Sequence, residues 1–310
     1  MKQLTSHEWI AHVLASDPPR SKSLVMTIFG DAIAPHGGTV WLGSLIELLS
    51  PFGVNDRLLR TSVYRLAQEG WLVANRDGRR SSYSILPQAL GRFERAYRRI
   101  YAPLAVHWDG SWTLLLAGGS AIEASERVLL RKELLWEGYA TIAPGLFGHP
   151  SCDAEILDQI LARVGVQGKL FVCNATELPG VSTRPLRDLV EDGWDLSGVI
   201  RDYRHFIDRF GPLTAQLPGD GDLQPQQAFV IRTLLIHAYR RVQLHDPMLP
   251  IELLPDPWPG SEAYQLARTL YQATYAAAER HIVEVMRRED PQAPVAEASF
   301  LQRFGGLASG

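Results

Sequence analysis

Six arginines fall between Arg57 and Ile85 in the stretch RLLRTSVYRLAQEGWLVANRDGRRSSYSI. A guanidinium is a rigid fork of N–H donors that matches phosphate oxygens and the O6/N7 edge of guanine. On a helix advancing about 100° per residue, Arg57, Arg60, Thr61, Tyr64, Arg65 and Gln68 project within about 70° of one direction. Leu59, Val63, Leu66 and Ala67 project to the other side as an apolar stripe. Arginine reads guanine, glutamine reads adenine, and hydroxyls take either strand or a phosphate. No Glu stands four residues before any of these arginines, so the favourable helical pairing is not provided that way. Arg57 and Arg60 also sit near the expected helix start, where the dipole disfavours cations. Against the alternative of a solvated helix face, side chains placed against local stability point to a partner, and these residue types are the ones expected for nucleic acid.

The other three arginines surround Asp77-Gly78, a strong hairpin signal between the alternating runs WLVANR and SSYSIL. Arg76, Arg79 and Arg80, with Ser81, Ser82 and Tyr83, are positioned to meet backbone phosphates or a minor groove. Upstream, Asp17-Pro18-Pro19 ends a first short segment. SKSLVMTIFGDAI then has helical spacing, with Ser23 as its expected cap. PHGG breaks the chain, and LGSLIELL forms a second helix that stops at Ser50-Pro51. Asn55 caps the third helix, which ends at Gly70. Three helices followed by a hairpin is the order of a winged helix-turn-helix.

A basic helix, QALGRFERAYRRIY, leads out to residue 101. Beyond it SWTLLLAG, YATIAPGLF and GKLFVCNA are strand candidates, with AIEASERVLLRKELLWEG and AEILDQILARVG as helices between them. That alternation is like a ferredoxin-like split βαβ unit. After residue 180 the pattern is helical at 201–210, 225–244 and 261–288, with the proline-rich HDPMLPIELLPDPWPG before the last helix. The expected class is therefore α+β multidomain. Residues 1–101 form a DNA-binding domain with its linker helix, 102–180 a central ferredoxin-like domain, and 181–310 a mainly helical C-terminal domain.

Charge follows this division. Residues 1–101 carry thirteen Lys and Arg against eight Asp and Glu, although the 310-residue chain has a net charge of −3. A basic first third on an acidic body points to a polyanion partner for one domain. No apolar run approaches the roughly 20 residues of a membrane helix. The opening MKQLTSHEWIAHVL does not have the pattern of a secretory signal. Cys152 and Cys173 form no C-x-x-C, so a cytoplasmic protein with reduced thiols is expected.

Other chemistry is weakly represented. His149 and Cys152-Asp153 are close in sequence, and His237 and His245 lie about 12 Å apart along one helix, too far to share an ion unaided. No H-E-x-x-H, P-loop, G-x-S-x-G or dinucleotide fingerprint occurs. Neither a metal, a cofactor nor a catalytic residue is expected.

The chain resembles the PaaX family of transcriptional repressors, which control phenylacetic acid catabolism. The resemblance is carried by FGVNDRLLRTSVYRLAQEGWLVANRDGRRSSYSI, SWTLLLAG and RTLLIHAYRRVQLHDPMLPIELLPDPWPG, in that order along nearly the full length. It implies a winged helix, a central domain similar to Cas2, a helical C-terminal domain, and a homodimer released from its operator by phenylacetyl-CoA. Residues 55–69 and 71–85 correspond to the family's recognition helix and wing. For an acyl-CoA effector the C-terminal stretch offers Arg240, Arg241, His245 and Trp258: arginines for phosphates and an aromatic for an acyl pocket. The competing reading makes both arginines exposed and His245-Asp246 a helix stop. The similarity to Cas2 also raises a metal-dependent nuclease as an alternative. Such nucleases are expected to carry an Asp near the end of the first strand, where this chain has Gly118, Gly119 and Ser120.

Overall fold

The protein is described by a computed structural model covering residues 5–103, 107–118, 121–178, 180–181, 184–217 and 223–307. Helix α1 (Ser6–Ser16) opens with a capping box, in which Thr5 Oγ1 accepts from the Glu8 amide and Glu8 accepts from the Thr5 amide at 2.8 Å. Helix α2 (Ser21–Ile28) is not capped by Ser23. Arg20 holds the cap position without a side-chain bond, and Ser23 lies inside the first turn. The helix continues as a π-turn, Phe29–Ile33, and a 3-10 turn, Ala34–His36. The wider π-turn carries Asp31 into the interior.

The PHGG break gives way to a strand the sequence does not advertise, β1 (Thr39–Trp41). Helix α3 (Leu42–Leu49) and helix α4 (Asp56–Gln68) follow, then strands β2 (Leu72–Asp77) and β3 (Arg80–Ile85) and helix α5 (Leu90–Tyr101). The three strands form an antiparallel sheet in the order β1-β3-β2, with Thr39 opposite Ser84 and Leu72 opposite Ile85. At three residues, β1 is too short for alternation to reveal it.

Next come β4 (Trp112–Leu116), α6 (Ala124–Trp136), β5 (Ala140–Ala143), β6 (Leu146–His149), α7 (Ala154–Val164) and β7 (Phe171–Ala175). YATIAPGLF is thus two strands, β5 and β6, turned at Gly145 with φ +78°. The sheet is antiparallel throughout in the order β5-β6-β4-β7. Leu130 and Leu134 of α6 and Leu157, Ile160 and Leu161 of α7 bury against Leu115 and Phe147 on one sheet face. The C-terminal third holds α8 (Leu186–Gly193), which the sequence left unassigned, then α9 (Leu196–Phe210), α10 (Pro225–Gln243) and α11 (Pro259–Glu289). Among the described residues no helix is long and apolar enough to cross a membrane.

Packing divides the chain into two units. The first contains Met1–Pro103, His205–Arg241 and Glu262–Gly310; the second contains Leu104–Arg204 and Val242–Ser261. In the first unit the N-terminal helices share one core with the C-terminal ones. Ser44 Oγ donates to the Val285 carbonyl at 3.2 Å, and Phe52 meets Phe229 edge-on. At the centre lies Asp31. Its carboxylate accepts from Tyr101 at 2.7 Å, Tyr271 at 3.0 Å, Arg303 Nη1 at 2.9 Å and Arg232 Nε at 2.8 Å. Arg232 also pairs with Glu279, so two guanidiniums face two carboxylates. Burial, reinforced by Asp31 beside it, pushes the Tyr101 phenol well above its ordinary value, so it remains a donor.

Removing one member of a buried ionic group leaves the rest uncompensated, at a cost of about 3–5 kcal/mol. Asp31→Ala is therefore expected to lower unfolding stability by that amount in a urea titration, and a change below about 1 kcal/mol would contradict the assignment. A second expectation concerns pH. Buried His237, whose Nδ1 lies 2.9 Å from Thr27 Oγ1, is pushed down to about 3, first by burial and then by Arg240 and Arg241. The unfolded chain binds its proton near pH 6.5, so the folded state loses about 1.4 kcal/mol per pH unit below that, until about pH 3. Urea midpoints at pH 7 and pH 5 are expected to differ less for His237→Gln than for the native chain.

Candidate nucleic-acid interface

Helix α4 is fixed at both ends as its sequence dictates. Asn55 Oδ1 accepts from the Leu58 amide at 2.9 Å. At the other end Gly70 takes the left-handed conformation, φ +73°, and the Trp71 amide donates to the Leu66 carbonyl at 2.9 Å. Leu59, Ser62, Val63 and Leu66 are buried. The inner face is tied to α2 by a buried Ser21–Ser62 hydroxyl pair at 2.8 Å and, at its end, by a Lys22–Glu69 ion pair.

The outward face is the one the spacing predicts. Arg57, Arg60, Thr61, Tyr64, Arg65 and Gln68 are all exposed, with Tyr64 at 63%. One expectation needs correcting. Although no Glu stands four residues before an arginine, Asp56 does, and its Oδ1 lies 2.8 Å from Arg60 Nε. An exposed pair of this kind contributes little, about 0.3–0.5 kcal/mol, and it also places an acid in the first turn. Arg57 and Arg65 have no ion pair or side-chain hydrogen bond among the described residues.

The hairpin loop is Gly78-Arg79, one residue later than the Asp-Gly signal suggests, because Asp77 and Arg80 pair across the ladder. Gly78 has φ +57° whereas Arg79 does not have positive φ, the pattern of a two-residue turn with glycine leading. Arg76 and Arg79 are exposed and make no ion pair among the described residues. Arg80 behaves differently. It donates to the Glu289 carbonyl at 2.7 Å and its guanidinium lies 4.1 Å from the Trp41 ring centroid, so it fastens the hairpin to its own unit. Opposing residues in an antiparallel ladder share a face. Arg76 and Ser81 therefore project together, as do Ala74 and Tyr83, with Ser81 and Tyr83 half-buried.

The proposed effector residues are not gathered in one unit. Arg240 is not an exposed helix residue. In the first unit its Nε donates to Thr27 Oγ1 at 3.0 Å and its Nη2 to Ser23 Oγ at 2.9 Å. Arg241 belongs to that unit too. His245 and Trp258 fall in the second, where Trp258 meets Tyr203 edge-on at 5.7 Å. Neighbouring Asp246 is buried, accepting from Tyr203 and, at 2.7 Å, from the Met248 amide. His149 is likewise structural, with Nε2 3.1 Å from the Pro247 carbonyl and Nδ1 accepting from the Ser151 amide at 2.9 Å. Cys152 accepts from the Tyr139 hydroxyl, and burial pushes its thiol up. Among the described residues no three His, Cys, Asp or Glu side chains are grouped as a metal site requires. Gly119 and Ser120, where a Cas2-type nuclease would carry its Asp, lie outside the described residues.

Residues 20–88 match the PaaX-like protein family, 105–187 the PaaX protein central Cas2-like domain, and 194–284 the PaaX-like protein C-terminal domain. Over 301 residues the chain is 38% identical to the transcriptional repressor PaaX of Escherichia coli (strain K12), covering 96% of this chain and 94% of that one. The chain belongs to the PaaX family. That relative is a transcriptional repressor, and the PaaX family is one of regulators rather than enzymes. The likeness to Cas2 is confined to one PaaX domain. A solved structure, uncharacterized protein Rv0674 from Mycobacterium tuberculosis, superposes with a TM-score of 0.51 at 23% identity, over 83% of this chain and 98% of that one. At that identity it supports the fold alone.

Proposed function

We propose that this PaaX-family chain is a homodimeric, ligand-responsive transcriptional repressor acting on double-stranded operator DNA in the cytoplasm. Helices α3 and α4 act as a helix-turn-helix, with α4 as the reading helix and the β1-β3-β2 sheet as the wing. The central unit, with its β5-β6-β4-β7 order and two helices on one face, is read as ferredoxin-like, followed by a helical C-terminal domain. The observation that carries the proposal is the outward face of α4. Arg57 and Arg65 stand exposed beside Thr61, Tyr64 and Gln68 without carboxylate partners, and Arg76 and Arg79 do the same on the wing. Unneutralised guanidiniums beside hydrogen-bonding side chains suit phosphates and base edges together. The controlled operon is taken to be one for phenylacetate-type aromatic catabolism, with an aryl-acyl-CoA such as phenylacetyl-CoA as the releasing ligand. Both rest on the family resemblance.

Homodimer formation is supported by the second unit. Leu116 and Phe171 are directly opposed across β4 and β7 on the sheet face away from α6 and α7, and they are 45% and 79% exposed. Two directly opposed exposed apolar side chains are the start of a contiguous patch of the kind through which chains associate. Two reading helices would then enter successive major grooves about 34–36 Å apart.

Two measurements test these points. In an electrophoretic titration with operator DNA, Arg65→Ala is expected to cost about 1–3 kcal/mol and to relax specificity at one base position. Arg79→Ala is expected to weaken binding to all sequences and to reduce the salt slope by about one. Unchanged affinity in both variants would sink the interface. In sedimentation equilibrium, Phe171→Asp is expected to shift the protein toward monomer and to weaken operator binding in parallel. An unaltered dimer would exclude this patch.

A further inference from the structure

Within the first unit, a cavity of about 670 Å³ lies between α5, the π-turn segment, the wing strands and the C-terminal 3-10 segment 298–305. Its volume is in the range of small-molecule sites. Ile85, Leu90, Phe93, Tyr97 and Phe300 give it apolar and largely aromatic walls. One strongly polar group is built into that lining. Arg303 is 1% exposed, and its Nη1 serves Asp31 and Tyr271. Its Nε and Nη2 have no hydrogen-bond partner. These two nitrogens form one edge of the guanidinium fork, the edge that binds a carboxylate or carbonyl side-on. Buried charged donors are rarely left without an acceptor, and such exceptions call for an unfilled role.

The backbone is constrained where it presents this group. Phe304, the next residue, is held at φ +55°, a conformation that a bulky side chain rarely adopts. Arg303 is stacked near Tyr101 at 4.1 Å and Phe300 at 4.6 Å from the ring centroids, so the guanidinium plane is fixed before any ligand arrives. Glu94, Arg98 and Glu297 also line the cavity, giving it mixed charge and leaving Arg303 as its buried cation.

We propose that this cavity binds an aryl-acyl group, the ring against Phe93, Tyr97 and Phe300, and that the acyl oxygen takes the buried Nε–Nη2 edge of Arg303 as the side chains covering that edge move aside. The inference rests on the effector reading above and gives that effector a place distinct from the Arg240–Trp258 stretch. Thr39 of β1 and Ser84 of β3 line the same cavity and are joined through their hydroxyls at 2.9 Å. An occupant therefore touches the two strands whose register sets the wing. Free aryl carboxylates and aryl-acyl-CoA thioesters share the recognised chemistry.

Calorimetry on the full-length protein separates these cases, using phenylacetate, phenylacetyl-CoA and CoA alone as titrants. The native chain is expected to bind at least one aryl compound and not CoA alone. Leu90→Trp, which fills the cavity from an exposed helix position, and Arg303→Lys, which keeps the charge but loses the side-on edge, are each expected to weaken binding at least tenfold. Should Arg303→Lys fail to fold, Leu90→Trp decides alone. Native affinity for the thioester that persists in the folded variants overturns the cavity and spares the effector. Binding of phenylacetate without the thioester upholds the cavity and overturns the CoA reading. No binding of either aryl compound overturns both.

Discussion

Asp31 is the residue on which the first unit depends. It stands on a π-turn in the second helix, and its partners come from elsewhere in the chain: Tyr101 at the end of α5, Arg232 on α10, Tyr271 on α11 and Arg303 in the terminal 3-10 segment. Desolvating four charged groups is costly, and the mutual attraction of Asp31, Glu279, Arg232 and Arg303 offsets that cost only when geometry is good and the remaining lone pairs are filled. The two tyrosines supply that filling. The result favours one relative placement of five segments, since moving any one of them exposes a buried charge without its partner. Burial raises the Glu279 carboxyl, but Arg232 and His36 outweigh it and bring it to about 2, so the acid remains ionised inside the core.

This frame reaches α4 through α2. Along one side α2 is held by C-terminal residues, with His237 against Thr27 and Arg240 against Ser23 and Thr27. Along another it meets α4 through Ser21 and Ser62. The inner face of α4 is thereby committed to packing, while on its outer face Arg57 and Arg65 make no ion pair among the described residues. Repulsion among Arg57, Arg60 and the helix dipole is eased by Asp56 at the helix start. The β2-β3 hairpin shows the same division of labour. Arg80 is spent on Glu289 and Trp41 so that the hairpin stays seated, and Arg76 and Arg79 remain available.

Local signals were readable, and distant pairings were not. The cap at Asn55, the stop at Gly70, the apolar stripe of α4 and the strands on either side of Asp77-Gly78 are written in neighbouring residues, where propensity and periodicity act. Ser23 has the type of a cap, but the helix starts at Ser21, and the hydroxyl instead takes Arg240 from more than two hundred residues away. Strand β1 is too short to show a period, and its place is set by pairing with β3. Arg240 and Arg303 look in sequence like ordinary surface cations. Nothing within a few residues of either marks it as buried, because the acceptors that make burial tolerable lie on other segments. The missing carboxylate partner of Arg60 was a matter of type alone, since Asp56 fills the position with a shorter side chain.

On the proposed reading, Arg303 joins two functions in one side chain. Nη1 belongs to the Asp31 frame, and Nε and Nη2 are buried without an acceptor at the edge of the proposed site. A ligand that reaches the unpartnered edge adds an acceptor to a guanidinium already fixed by aromatic rings, so the charged group itself needs no ordering. Such a ligand alters DNA affinity only as far as it prefers one arrangement of the cavity walls over another. Those walls include Ser84 and Ile85, and the same strand β3 begins at Arg80 beside the hairpin turn. A strand transmits displacement along its length better than a loop, because its ladder partners on both sides, β1 and β2, move with it or lose hydrogen bonds. On that reading, the shortest physical route from a bound acyl group to Arg79 at the hairpin turn is a single strand.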